Sequence, residues 1–256
     1  MSGRPAGYRS RVNRRALRTE LAIVLAVTFG LSAFTATLTL IDFWLRGLAE
    51  QRVALNPRRS YFDLIDFGMQ LAGILQLLAW GALALYLLWR TGTTLRRIGL
   101  GRFRPGPDLL GGLGLAALIG LPGLGLYLAA RSLGLAAEVV PAEIGSSWWR
   151  IPTLILAAVA NSWAEEVVVV GYLLTRLDQL GVRPGRALLA SAALRGAYHL
   201  YQGIGAGLGN LAMGLIFGYV WRRTGRLWPL IVAHAVIDIV AFVGYALLAG
   251  RLDWLR

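Results

Sequence analysis

The 256-residue sequence contains no cysteine and no lysine, only two histidines, and few charged residues of any kind, 15% of the total. Without cysteine there are no disulfides, no Cys-ligated zinc, no iron–sulfur clusters and no thiol nucleophile. The lack of lysine leaves all 26 basic residues as arginine, against 13 acidic ones, which points to a GC-rich coding genome and decides no chemistry. With His199 and His234 as the only imidazoles, any histidine chemistry passes through those two. The low charge accompanies 57% hydrophobic residues, well above a soluble globular average, which excludes a disordered or nucleic-acid-coating chain. A net charge of +13 would suggest nucleic acid in a soluble protein. Here the arginines fall between apolar runs, so the charge reads as membrane topology, and the expected partners are lipid and not nucleic acid.

What is present is a series of long apolar segments. A hydrocarbon core of about 30 Å needs roughly 20 apolar residues in helix, because backbone polar groups in lipid must bond internally. Seven segments meet or approach that length: Leu21 to Leu45, Ile65 to Trp89, Leu109 to Ala130, Ile151 to Leu174, Ala187 to Ile204, the shorter Leu208 to Val220, and Leu227 to Leu248. The expected fold class is all-α, a polytopic helical membrane protein with about seven transmembrane helices. Three parts are expected: a basic cytoplasmic segment over 1–20, N-terminal transmembrane helices over 21–150, and a membrane core over 151–248.

Arg4, Arg9, Arg11, Arg14, Arg15 and Arg18 precede the first span and hold the N-terminus in the cytoplasm. Positive clusters recur at alternate loops, at Arg90 to Arg104, at Arg176 to Arg186 and at Arg222 to Arg226. This alternation supports seven spans, with the N-terminus inside and the C-terminus outside. One loop disagrees: Arg46, Arg52, Arg58 and Arg59 make an outer segment basic too, which leaves an interfacial first hairpin open. The first apolar run exceeds the roughly 7 to 15 residues of a signal-peptide core, so it is expected to stay uncleaved. Trp44, Trp89, Trp148, Trp149, Trp221 and Trp228 lie near span ends, where interfacial anchoring accounts for them all. Gly214 with Gly218, and the run Gly111, Gly112, Gly114, Gly120, Gly123 and Gly125, predict close helix packing. No internal repeat is visible, which argues against a transporter built from duplicated halves.

The first three spans are nearly free of internal charge, apart from Asp42 and Asp66 toward their ends, and the last four differ. Glu165 and Glu166 lie past the middle of the fourth, Arg195 and His199 inside the fifth, His234 and Asp238 inside the seventh. Each ionised group near a helix centre costs about 2.5 to 3.5 kcal/mol, so two Glu, one Arg and one Asp together cost roughly 10 to 14 kcal/mol. That rivals the whole stability of an ordinary fold, about 5 to 15 kcal/mol. The groups are therefore expected to face one another or a wet cavity at one buried site. Asn161 and Glu165 are four apart, and Glu165 and Glu166 sit on adjacent stripes about 100° apart, so the two acids cannot aim at the same atom. Ser191, Arg195 and His199 share one face, and the His234 and Asp238 spacing lets the acid orient the imidazole or accept its proton.

A carboxylate paired with a histidine can deprotonate water, and a second histidine can donate to the oxyanion as a peptide carbonyl becomes tetrahedral. Ser191 could act as a nucleophile, although a hydroxyl so placed is more often bonded to its own helix backbone. No HExxH is present. Two histidines and carboxylates on separate spans leave a divalent metal such as zinc open without requiring it.

The segment from Glu165 to Leu173 (EEVVVVGYL), then Arg195 to His199 (RGAYH), then His234 to Asp238 (HAVID) resembles the CPBP family of intramembrane proteases, which includes CAAX prenyl endopeptidases and bacteriocin-processing or immunity proteins. Its motifs run EExxxR, FxxxH and HxxxN or HxxxD on successive spans. The likeness covers roughly Ile151 to Leu248, including Thr224 to Trp228 ahead of the last motif. It implies that Glu165 and His199 activate a water, that His234 and Asp238 stabilise the oxyanion, that Glu166 supports the site, and that the partner is a peptide or protein substrate. Two positions depart from the pattern: Val170 stands where the motif has Arg, and Arg195 where it has Phe. One Arg lost and one gained at similar depth predict that the Arg195 guanidinium reaches the Glu pair from the fifth span. Asp238 would repel an oxyanion if ionised, so it is better cast as orienting His234, or as protonated.

Other readings remain beside this one. Glu166 and Arg195 can be a structural ion pair, and Tyr172, Tyr198 and Tyr201 are expected to pack or bond locally. A non-proteolytic binding or immunity protein of the same family is the alternative function. A proton-coupled transporter, which also buries Glu, His and Asp, stands third.

Overall fold

The computed structural model describes residues 13–145 and 147–248. The expectations that rest on Arg4, Arg9 and Arg11, and on the residues after Leu248, lie outside them. The first helix, α1 (Arg14–Val27), starts where the Asn13 side chain accepts from the backbone N–H groups of Arg15 and Ala16, satisfying two of the donors that a helix start leaves open. It breaks at Thr28 and resumes as α2 (Phe29–Leu45), bent by 49°. The bend needs a glycine next to it, since a Cβ on Gly30 would stand 2.5 Å from the Leu25 carbonyl oxygen. The expected first span is thus a broken one.

There follow α3 (Asp63–Arg90), α4 (Pro105–Ser132), a continuous 30-residue helix made of α5 (Arg150–Glu165), a π-helical stretch Glu166–Tyr172 and α6 (Leu173–Gln179), then α7 (Pro184–Tyr198), α8 (Ile204–Thr224), α9 (Trp228–Ile239), a second π-helical turn Val240–Gly244 and α10 (Tyr245–Leu248). Among the described residues five helices are long and apolar enough to cross a membrane, or six with the bent α1–α2 pair. The all-α polytopic architecture stands, with five or six such helices among the described residues beside the seven apolar runs of the sequence. At 1.5 Å per residue, the 15 residues of α7 reach only about 22 Å. Its run stops at Tyr198 because the following turn, Leu200–Gln202, delivers Gly203 against Ala136, where a Cβ would stand 2.6 Å from the Ala136 Cα. Gly203 has φ +114°, which only glycine adopts readily. The sixth apolar run is correspondingly longer than its composition suggests, 21 residues in α8.

One feature departs from pure helix: β1 (Arg52–Ala54) pairs in parallel with β2 (Glu138–Val140), with Val53 opposite Val139. This patch explains the basic outer loop. Arg46 bridges Asp42, Arg52 bridges Glu138, and Arg58 bridges both Asp63 and Asp66. Three of the four arginines that make this loop basic thus sit in ion pairs with local acids, while the Arg59 guanidinium donates to the Met69 carbonyl. Arg176 is likewise not part of a solvated cluster. It is fully buried and its guanidinium donates to Glu20, Thr91, Gln179 and the Leu87 carbonyl, tying α6 to α1 and α3.

The tryptophans divide into two groups. Trp44, Trp89 and Trp148 are exposed as interfacial rings should be, whereas Trp149, Trp221 and Trp228 donate their indole N–H to Asp63, Ile98 and Gly101 and serve as tertiary links. The glycines divide too. In α8, Gly214 and Gly218 admit Ala192 and Leu188 of α7; in the α4 run Gly111, Gly112 and Gly120 face Pro229, Val232 and Ile237 of α9, Gly112 most closely, while Gly114, Gly123 and Gly125 meet nothing within 4 Å. Half of the Gly-rich run is thus a packing face. The core cluster runs through Val167 to Val170, Tyr172, Phe217, Leu227 and Leu230, where α5, α7, α8 and α9 come together around the polar groups described next.

Candidate active site

Three helices bring polar side chains inward. Asn161 and Glu165 close α5, Glu166 opens the π-helical stretch, Arg195 and Tyr198 close α7 with His199 as its C-terminal neighbour, and His234 and Asp238 lie on α9. In the π stretch, backbone bonds run from i to i+5 and widen the turn, a geometry concentrated at functional sites. The Ser191 hydroxyl donates to the Val169 carbonyl in this stretch at 2.7 Å. Ser191 was expected to bond its own helix; it instead links α7 to the widened turn.

The charged groups form a closed circuit. The Arg195 guanidinium donates through Nη2 to Glu166 Oε1 at 2.6 Å and lies with Nη1 3.7 Å from Glu165 Oε2. Glu166 Oε1 also meets His234 Nδ1 at 2.7 Å. His234 Nε2 stands 3.5 Å from Asp238 Oδ2, which accepts from Asn161 Nδ2 at 2.9 Å. The same Asn161 amide donates to Glu165 Oε1 at 3.1 Å and closes the ring. The two acids approach different nitrogens of one guanidinium, as their separate stripes require. Arg195 and Glu166 are fully buried, Glu165 and His234 nearly so, and Asp238 keeps some exposure. Burial of this many ionisable groups is tolerable because each faces an opposite charge or a donor.

Asn161 and Tyr198 are the two members that sequence reasoning did not assign to the site. Tyr198 donates its hydroxyl to Glu165 Oε2 at 2.5 Å, so both oxygens of Glu165 accept a hydrogen bond. Its position beside His199 in the sequence gave no reason to prefer an inter-helix bond over local packing. Asn161 carried a signal, its four-residue spacing from Glu165. Tyr172 bonds Glu20 far along the chain, and Tyr201 accepts from Gln202, so neither enters the circuit.

His199 stands beside the ring without a hydrogen bond to it. It stacks between Tyr198 and Tyr201 and is close enough to Glu165 and His234 to interact electrostatically with both. Its Nδ1 lies 3.0 Å from the Arg195 carbonyl oxygen. A carbonyl only accepts, so Nδ1 carries a proton, and in the neutral ring Nε2 keeps its lone pair. His234 is set differently, with both ring nitrogens facing carboxylates, an environment suited to two N–H donors. A groove of about 450 Å³ between α2 and β1, lined by Ser32, Thr35, Thr39, Tyr198 and Tyr201, leads to the ring that bonds Glu165.

A metal does not fit these residues. Among the described residues no three His, Asp or Glu side chains converge as a ligand set. The Arg195 cation stands between the two glutamates, 2.6 Å from Glu166 and 3.7 Å from Glu165, and its charge disfavours a divalent ion there. Three buried atoms, Glu166 Oε2 and Arg195 Nε and Nη1, have no hydrogen-bond partner among the described residues and retain polar capacity at the centre of the site.

Comparison with known proteins bears on this same stretch. Residues 147–240 match a family model described as type II CAAX prenyl endopeptidase Rce1-like. No curated protein and no solved structure matches the chain.

Proposed function

We propose, from the match of residues 147–240 to the Rce1-like type II CAAX prenyl endopeptidase model, that the chain is an intramembrane endopeptidase hydrolysing a peptide bond with a water activated by Glu165 and His199. The observation that carries the reading is the tautomer of His199. With Nδ1–H committed to the Arg195 carbonyl, Nε2 is an available base beside the Glu165 carboxylate. The water oxygen attacks the peptide carbonyl carbon while its proton passes to this Glu–His pair. The carbonyl oxygen becomes an oxyanion, for which His234 Nε2–H, held only loosely by Asp238 at 3.5 Å, is the nearest mobile donor. Collapse of the tetrahedral intermediate breaks the C–N bond, and the proton held by the pair passes to the leaving amine. Glu166, Arg195 and Asn161 are positioning residues, locking His234, Asp238 and Glu165 in one circuit. The substrate is a peptide or protein segment entering the groove beside α2. The protein sits in the cell membrane with its N-terminus in the cytoplasm, the orientation favoured by the arginine distribution.

Membrane peptide profiles of cells expressing the wild-type chain, Glu165→Gln or His199→Ala test this reading. Loss of specific cleavage products in both variants, with the protein still present in the membrane, is the expected result. Identical profiles would sink it and favour the second reading, a non-proteolytic binding or immunity protein. That alternative draws on one observation: both oxygens of Glu165 are already engaged, by Tyr198 and Asn161.

A further inference from the structure

A second cavity lies away from the buried circuit. It has a volume of about 790 Å³ and opens where the loop between α3 and α4 meets the turn between α8 and α9. Four arginines line it: Arg96, Arg102, Arg104 and Arg226. Arg226 is anchored by a two-point bond to the buried Asp108 carboxylate, which holds its guanidinium above the ordinary range and fixes its direction. Neither Arg96 nor Arg102 makes an ion pair among the described residues, and both are exposed. The acid beside the cavity, Asp108, has its carboxylate held by Arg226 and by the Arg104 backbone N–H, so it pairs with neither Arg96 nor Arg102.

The surroundings favour a lipid over a free ion. Phe103 packs edge-on against Trp228 at the rim, 5.5 Å between ring centroids, an aromatic pair at the level where headgroups sit. From the rim α4 descends with Leu109, Leu110 and Leu113 exposed, an apolar surface for acyl chains immediately beneath the cations. We propose that this cavity binds the phosphate of an anionic phospholipid, with the arginines on the headgroup and the α4 leucines along the tails. The site also touches the start of the helix that carries His234. Leu227 N–H donates to the Gly99 carbonyl and Trp228 Nε1 to Gly101, so an occupied cavity would brace the loop that fixes the N-terminus of α9.

Lipid binding to the full-length chain, purified in a neutral detergent, tests the proposal by native mass spectrometry and thermal unfolding. The probes are a short-chain phosphatidylglycerol, the matching phosphatidylcholine, and inorganic phosphate. Phosphatidylglycerol should bind and raise the unfolding temperature, with phosphatidylcholine much weaker. Arg102→Gln and Arg104→Gln should each lower its affinity about fivefold, the ~1 kcal/mol of a cation beside an anionic lipid surface. Arg183→Gln with Arg186→Gln, on exposed positions of the same basic end but outside the cavity, should leave it unchanged. Equal loss in that control pair, or none in the cavity variants, would reduce the cavity to general positive charge and overturn the assignment. Inorganic phosphate binding as tightly as the lipid would overturn it as a lipid site.

Discussion

Arg195 illustrates how one side chain sets the character of the site. Its guanidinium is fully buried and neutralises Glu166 at 2.6 Å while facing Glu165 at 3.7 Å. Removing one partner of such a pair leaves the other charge unmatched in a low-dielectric interior, which costs about 3 to 5 kcal/mol. Arg195→Met alone should therefore destabilise the protein by that order, and Arg195→Met combined with Glu166→Gln should be distinctly more stable than the sum of the single changes. Unfolding of the four proteins in a mild detergent titrated with a denaturing one measures the coupling, and simple additivity would refute it. The position of Arg195 was readable from the sequence because a charge in an apolar run must find a partner. Tyr198 was not, because a tyrosine in such a run satisfies many partners and its bond to Glu165 exists only after α5 and α7 have packed.

Helix α8 shows what a glycine position means once the neighbours are known. A Cβ at Gly214 would stand 2.8 Å from the Ala192 Cα and 3.3 Å from the Arg195 side chain, whereas one at Gly114 on α4 would meet nothing within 4 Å. Gly214→Val should lower stability by about 1 to 3 kcal/mol through overpacking, and Gly114→Ala should be neutral or raise it by up to about 1 kcal/mol through helix propensity. Thermal unfolding of the two variants in detergent separates them; equal effects would mean that α7 and α8 are not in this close contact. Both positions read alike in sequence as small residues in apolar segments. The same limit applies to α7, whose apolar run continues past Tyr198 although the helix does not. Its end is set by Gly203 meeting Ala136, a contact 67 positions apart in the chain.

For the whole molecule, the number of arginines at each end argues for one orientation. Arg90, Arg96, Arg97, Arg102, Arg104, Arg183, Arg186, Arg222, Arg223 and Arg226 at one end outnumber Arg46, Arg52, Arg58, Arg59, Arg131 and Arg150 at the other, and that excess should keep the first end in the cytoplasm. A chain without cysteine permits a direct measurement with single introduced thiols. A membrane-impermeant maleimide applied to intact cells should label Tyr61→Cys and leave Arg97→Cys untouched until the membrane is opened. The reverse pattern would invert the topology.

Sequence alone determined the solvent, the helical class and the approximate membership of the site, because insertion into lipid penalises every unpaired charge and every unbonded backbone group, wherever they fall along the chain. Glu165, Glu166, Arg195, His199, His234 and Asp238 announced themselves by that penalty. Tertiary structure decided the rest: the broken first span, the short α7, the Arg52–Glu138 pair across the outer loop, and the placing of Asn161 and Tyr198 on Glu165. Each of these depends on contacts between residues far apart in the chain, and periodicity along one helix carries no record of what packs against it.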